Sequence, residues 1–453
     1  MSTTIKLPEP RFGTDGVRGE ANQELTAQLA LKLGMAAATV LGRHATNRHV
    51  IVGRDTRLSG DMLEAALNAG LAAMGAHVTN IGVAPTPAVS RAVVLSGATA
   101  GVVISASHNP FADNGIKFFG PDGKKLKDEV EDEIEAAMES WESFPRPTGA
   151  EIGRIVDSRA LVSQYIESVK STSGVSLAGL KLVLDCANGA AYEIAPPLFR
   201  SLGAEVIAIH TEPNGVNINE NCGSTKPKDM CARVVAEGAA AGLAFDGDCD
   251  RVMICDEKGA IVDGDKTMAI SARRLQRQGE LTNNVVVATI MSNAGLEVAL
   301  ESIGVKLERT DVGDRYVAAR MEETNAALGG EQSGHILLPH ITPTGDGMVT
   351  GLQILAEMHD TGKPLSELAS FVQTCPQLLK NIRVRDRLGW QQVPEIQHAI
   401  VEAQARLTKP EWLSVRASGT EPLVRVMAQD TDDKRVHAVV DGLCGLIQDR
   451  FGV

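Results

Sequence analysis

Aromatic residues are scarce: Phe, Trp and Tyr make up 3% of the 453 positions. That disfavours a protein that reads bases or sugar polymers by stacking. Positive charge is also in deficit, with 44 Lys and Arg against 57 Asp and Glu, a net −13. A nucleic-acid partner is therefore not expected, and an anionic small substrate would need a local basic pocket. No apolar run reaches the roughly 18 residues of a membrane span. Met1 to Pro10 carries no apolar signal core, so no membrane partner is expected either. The seven cysteines (Cys186, Cys222, Cys231, Cys249, Cys255, Cys375 and Cys444) are odd in number and form no C-x-x-C pair. A disulfide framework or zinc ribbon is not expected, and a reducing cytoplasm fits best.

What is present is a globular composition, 43% hydrophobic and 22% charged, in a chain long enough for about three or four domains. One pattern recurs three times: a β-branched strand, a turn, an Ala/Leu-rich helix, a Gly and a second strand. The copies run from Val50 to Val78, from Leu182 to Val206 and from Val285 to Leu307. In the first, Met62, Ala66, Ala69 and Ala73 fall on one helical stripe. The Gly after each helix suits a left-handed cap. Three related, mainly parallel α/β units are predicted. From about Pro376 the pattern changes to strand, helix, strand–loop–strand, helix, which predicts a smaller α+β domain. The expected division is 1–150, 151–258, 259–375 and 376–453.

Four loops carry chemistry. The first, Ser105-Ala106-Ser107-His108-Asn109-Pro110, follows the apolar run Gly101–Ile104, and the end of a buried α/β strand is a common place for a functional loop. No G-x-S-x-G elbow surrounds either serine, which argues against a hydrolase triad. The second, Asp246-Gly247-Asp248-Cys249-Asp250-Arg251, lies between two apolar runs. Carboxylates at alternate positions of an extended chain share one side and repel unless a cation sits among them. Oxygen ligands suit magnesium, manganese or calcium rather than zinc. An EF-hand is excluded because Arg251 occupies the position that needs Gly. The third, Gly329-Gly330-Glu331-Gln332-Ser333-Gly334-His335, packs polar groups between glycines that let a ligand approach. The fourth, Arg416-Ala417-Ser418-Gly419-Thr420-Glu421-Pro422 with Arg425, combines an anion-cradling turn with forked guanidinium donors. A polar turn explains the third and fourth about equally well when each is taken alone.

Together, in this order, the loops resemble the α-D-phosphohexomutase superfamily over most of the chain, from Arg11 to about Ala428. The stretches Arg11–Gly19, Asn217–Thr225 and Thr344–Gly347, with Gln332, resemble its bacterial phosphoglucosamine mutase branch. The resemblance implies a heart-shaped, four-domain α/β protein: three related domains with mixed sheets, a smaller C-terminal α+β domain and a central cleft. It implies a phosphoserine at Ser107, with His108 beside it in the catalytic set. It implies one magnesium per chain on Asp246, Asp248, Asp250 and a phosphoserine oxygen. Lys117 matches the general acid/base, and Arg18 and Arg251 match cations near the transferred phosphate. Glu331, Ser333 and His335 match the sugar contacts, and Arg416, Ser418, Gly419, Thr420 and Arg425 match the clamp on the second phosphate. Cys249 departs from the usual Gly of the metal loop.

The reaction so implied interconverts glucosamine 6-phosphate and glucosamine 1-phosphate through a bisphosphate, with glucosamine 1,6-bisphosphate as activator, feeding UDP-N-acetylglucosamine synthesis. Magnesium and the nearby cations are expected to lower the pKa of Lys117. The partners expected are small sugar phosphates, with room for a homodimer. A glucose or mannose phosphate mutase, a metal-dependent sugar phosphatase and a non-catalytic sugar-phosphate binder remain as alternatives. Isomerisation without phosphate release, and a covalent phosphate on the chain, would set aside the phosphatase and the binder, and a higher kcat/KM with glucosamine than with glucose phosphates would set aside the sister mutases.

Overall fold

The computed structural model describes residues 11–13, 15–43, 45, 47–386, 388–418 and 421–453. Four sheets follow one another along the chain. Each predicted repeat is a parallel strand pair: His49–Arg54 with His77–Val83, Lys181–Asp185 with Glu205–Ile209, and Val285–Thr289 with Lys306–Thr310. Gly75, Gly203 and Gly304, which close the three helices, all have positive φ, so the backbone turns there without the clash a Cβ would add.

Each of the first three sheets also gains antiparallel strands, which makes them mixed. In the first, Ala100–Ile104 pairs with Asp113–Phe119, and that strand with Gly16–Glu20. In the second, Ala241–Phe245 turns back into Val252–Asp256. In the third, Leu328–Gly330 turns back into Ile336–Leu337. Each hairpin begins on a buried apolar strand, so its connecting loop emerges at a strand end held by the core. These three connections carry the serine, aspartate and glutamate loops.

The first sheet takes its edge strand Ile155–Asp157 from beyond residue 150, and the second takes Ile261–Val262 from beyond 258. One expectation needs correction. The apolar stripe of the helix Ser59–Ala73 is Leu63, Leu67, Gly70 and Leu71, while Ala69 is exposed. The stripe turns because the helix packs against Ala27–Leu41 backbone to backbone. A methyl added at Gly34 would strike the Leu67 carbonyl, and one at Gly70 the Leu31 carbonyl. Glycine, not alanine, therefore marks this contact.

The fourth sheet orders Gln377–Arg383, Leu423–Gln429 and Leu413–Ala417, covered by Pro394–Arg406 and Asp433–Phe451, as the pattern beyond Pro376 predicts. It docks on the third domain at the start of the helix Ala294–Ser302. There the Trp412 indole N–H donates to Glu297 (2.9 Å), Lys409 pairs with Glu297 (2.6 Å), and Gln429 bonds the Ala294 N–H and the Ser292 carbonyl. No described helix is long and apolar enough to cross a membrane.

Candidate active site

The serine loop leaves the buried strand Ala100–Ile104 and is held from below. Arg57 is 1% exposed and its guanidinium donates to the carbonyls of Ser107 (3.0 Å), Asn109 (2.9 Å), Asp113 (3.0 Å) and Pro110. Asp55 holds Arg57 (2.8 Å) and accepts from the Ser105 hydroxyl (2.6 Å), which in turn accepts the Ser107 N–H (2.9 Å). Burial pushes the Asp55 carboxyl up, and Arg57 and Ser105 oppose that shift. From the second domain, Asn219 donates to the Ser107 and Asn109 carbonyls (2.9 and 3.1 Å). These bonds hold Ser107 at φ +52, a conformation costing about 1 kcal/mol for a non-glycine residue. Ser105 is thus the brace and Ser107 the presented hydroxyl.

The Ser107 hydroxyl donates to Asp246 at 2.5 Å, and the His108 Nδ1 lies 3.4 Å away. Asp246, Asp248 and Asp250 are buried, with ligand oxygens within 4.8 Å of one another. They converge in a turn beyond Phe245, not along an extended chain, because Cys249 adopts φ +60 and bends the loop back. Burial and the repulsion of Asp250 and Asp248 push the Asp246 carboxyl well up. Asp248 Oδ1 and Asp250 Oδ1 are buried without a hydrogen-bond partner. Orphaned acceptors in a close all-oxygen set fit a hard divalent cation such as magnesium.

Cations surround the triad. Lys117, 1% exposed, donates to Asp248 (2.9 Å) and lies 3.1 Å from Asp15 and 3.8 Å from Asp250. Of the protein's own groups, burial and Arg18 lower its pKa, but Asp15, Asp248 and Asp250 together outweigh them and hold the ammonium above its ordinary value, so the expected lowering rests on the magnesium charge. The sequence could not show that acidic groups would be its nearest neighbours. His108 is held down to about 4 by burial and by the Arg251 and Arg18 charges. It is neutral near pH 7 and offers Nδ1 to the Arg251 guanidinium at 3.1 Å, an arrangement that orients Arg251. Arg18 is paired to Asp15.

A cleft of about 980 Å³ opens beside these groups. Its lining includes Arg18, Lys125, Asp250, Arg251, Asp314, Glu331, Gln332, Ser333 and His335, so three domains contribute. Glu331 accepts from the Ser333 hydroxyl (3.3 Å). Gln332 donates to Asp265 (3.0 Å), whose carboxyl burial pushes up to about 7. His335 is 2% exposed, with Nδ1 3.6 Å from Asp250 and Nε2 3.5 Å from Asp314, so its ring lies between two carboxylates at the cleft wall. Lys125 ties Asp314 (2.6 Å) to Asp15 and joins the first and third domains across the rim. Arg416 and Arg425 face each other across paired strands. Arg416 reaches the sulfur of cleft-lining Met291 (3.7 Å), and Ser418 accepts the Glu421 N–H (3.4 Å). Gly419 and Thr420 lie outside the described residues. No described residue of the fourth domain lines the cleft.

Phosphoglucomutase/phosphomannomutase models match the chain in order: α/β/α domain I at residues 9–144, domain II at 163–259, domain III at 263–375 and the C-terminal domain at 379–446. The chain belongs to this family. It is 52% identical over 433 residues to a phosphoglucosamine mutase of Moorella thermoacetica, covering 95% of this chain and 98% of that one. It is 50% identical over 437 residues to the phosphoglucosamine mutase of Desulforamulus reducens, covering 96% and 98%. A family protein from Burkholderia thailandensis shares the fold with a TM-score of 0.79 at 23% identity, over 97% of this chain and 99% of that one. An Aspergillus fumigatus N-acetylphosphoglucosamine mutase, solved with GlcNAc-6P and magnesium, does so at a TM-score of 0.64 and 18% identity, over 98% and 96%.

Within this family fold, sequence reading missed Asp55, Arg57 and Asn219. Asn219 stood in a stretch singled out by resemblance, but nothing local tied it to Ser107, and Asp55 and Arg57 reach the serine loop only through contacts about 50 positions away. Cys249 yields a prediction. Its side chain is fully buried at positive φ. Alanine would keep the backbone strain and lose the sulfur, whereas glycine would lose the sulfur and relieve the strain. Thermal denaturation should therefore find Cys249→Gly more stable than Cys249→Ala by about 1 kcal/mol, with activity retained in both. The reverse order would mean that packing of the Cβ, or the greater freedom of glycine in the unfolded chain, outweighs the strain.

Proposed function

We propose that the chain interconverts glucosamine 6-phosphate and glucosamine 1-phosphate, acting as an intramolecular phosphotransferase through Ser107. The observation that carries the reading is a serine hydroxyl held 2.5 Å from a buried aspartate triad beside a polar cleft. The full-length similarity to phosphoglucosamine mutases selects the sugar class.

Phosphoserine 107 gives its phosphoryl group to the free hydroxyl of the monophosphate: the bond from phosphorus to the Ser107 oxygen breaks, one to the sugar oxygen forms, and the hydroxyl proton ends on the released Ser107 oxygen, giving the bisphosphate. The sugar then reverses in the cleft, and the Ser107 oxygen takes up the other phosphoryl group. A magnesium ion held by Asp246, Asp248 and Asp250 would supply charge stabilisation to the transferring group. The protein's own part is to position and to neutralise. Arg57, Asp55 and Asn219 fix the serine loop. Arg18, Arg251 and the Lys117 ammonium put positive charge around the reacting phosphate. Glu331 and Ser333 offer acceptors and a hydroxyl to the sugar.

Kinetics with both sugar series test the sugar assignment. The kcat/KM should be at least about tenfold higher with glucosamine phosphates than with glucose phosphates, the size of a single polar contact. Equal values would move the chain to a glucose- or mannose-phosphate role.

Arg416 and Arg425 would grip whichever phosphate is away from Ser107, and the small fourth domain would swing toward the cleft to bring them in. Arg425→Ala is then expected to weaken both directions alike, by about tenfold or more in kcat/KM, and to release more bisphosphate into a trap. Phosphate already on Ser107 should be retained. Impairment confined to one direction would show that the clamp is not shared.

A further inference from the structure

The geometry points to a second metal site in the second domain, formed by Asp185, His210 and Cys222 and suited to a zinc-class ion. One ligand atom from each lies within 4.8 Å of the others. Asp185 ends the strand Lys181–Asp185, and His210 follows the parallel neighbour Glu205–Ile209. The site thus sits at the carboxyl ends of adjacent parallel strands, where α/β domains commonly place ligands. Cys222 comes in from the loop after Asn219. Asp185 and Cys222 are fully buried.

An independent observation is the state of the imidazole. Its Nδ1 is buried and lies 3.0 Å from Asp185 Oδ1, yet has no hydrogen bond of acceptable geometry. The other nitrogen, Nε2, faces Asp229 at 3.9 Å. A ring with one nitrogen turned toward ligands and the other toward a carboxylate is the arrangement in which histidine binds metal. Asp185 Oδ1 and Oδ2 each accept one backbone N–H, from Ala187 and Gly223 (both 2.9 Å). These bonds fix the carboxylate and leave each oxygen a further lone pair.

The donor set separates this site from the triad. Thiolate, imidazole and carboxylate suit zinc and its relatives, with a fourth position left for water. Three carboxylates suit a hard cation. Binding would release the Cys222 thiol proton to solvent as the sulfur becomes a ligand. The ion would tie the Asn219-bearing loop to the sheet, and Asn219 holds the Ser107 carbonyl. The site therefore bears on the serine loop without touching the reaction.

The test loads the full chain with one equivalent of zinc in excess magnesium, removes free metal and counts bound zinc. Wild type and Asp248→Asn should each keep about one zinc, and Cys222→Ser and His210→Asn should keep less than about a tenth of that. Cobalt(II) in place of zinc should give a thiolate-to-metal charge-transfer band that Cys222→Ser abolishes. His210 is partly exposed, so His210→Asn should fold and serve if Cys222→Ser does not. Zinc should raise the Tm of wild type and not of His210→Asn. Absence of bound zinc in wild type, or zinc lost from Asp248→Asn yet kept by His210→Asn, would overturn the site.

Discussion

Ser107→Ala is expected to lower turnover with either glucosamine phosphate by at least about 10³-fold, since the group that receives and returns the phosphoryl is gone. The fold should survive, because the loop is held by bonds to main-chain carbonyls of Ser107 and its neighbours, made by Arg57 and Asn219, and alanine keeps them. Positive φ costs alanine about what it costs serine. Ser105→Ala makes the contrast. It removes the hydroxyl that links Asp55 to the Ser107 N–H and should cost about tenfold through misplacement of the loop. Intact mass and peptide mapping after incubation with a bisphosphorylated sugar should find one phosphate, on Ser107, in wild type and in Ser105→Ala, and none in Ser107→Ala. A phosphate mapped to Ser105 would reverse the two roles.

Asp248→Asn should be nearly as damaging, with kcat down about 10²–10³-fold in excess magnesium. The replaced oxygens matter in two ways. Asp248 Oδ1 is one of the orphaned acceptors of the triad, and Oδ2 accepts from Lys117 and from the Thr86 hydroxyl (2.6 Å). Loss of the charge weakens a cation's hold and leaves the Lys117 ammonium to Asp15 and Asp250. Excess chelator should bring wild type down to a similar rate and should change Asp248→Asn little. A direct magnesium titration should show the variant's affinity reduced in the same experiment. Wild-type turnover undiminished in chelator would remove the cation from the reading.

Much of this molecule was legible in its sequence. Strand–helix–strand repeats are local patterns, and parallel pairing follows from them because the intervening helix must return over the sheet. The aspartate loop announces itself because its three carboxylates lie within five positions, and such crowding has few physical explanations. Other features required the folded chain. The helix stripe was misplaced because Gly34 and Gly70 meet across two helices, and a glycine shows no hydrophobic signal. Lys117 was expected to have a pKa lowered by magnesium and by cations legible as motif residues, but the carboxylates that raise it could not be placed beside it. Asp15, one of them, is 102 positions away and reaches it only through the pairing of Gly16–Glu20 with Asp113–Phe119. His335 was read with its loop, while the carboxylates beside its ring, Asp250 and Asp314, come from other parts of the chain. Composition, periodicity and motif order follow from near neighbours along the chain and so determined the domain plan and the candidate loops. Burial, charge balance and the bracing of Ser107 depend on groups brought together from distant positions, and only the tertiary structure decided them.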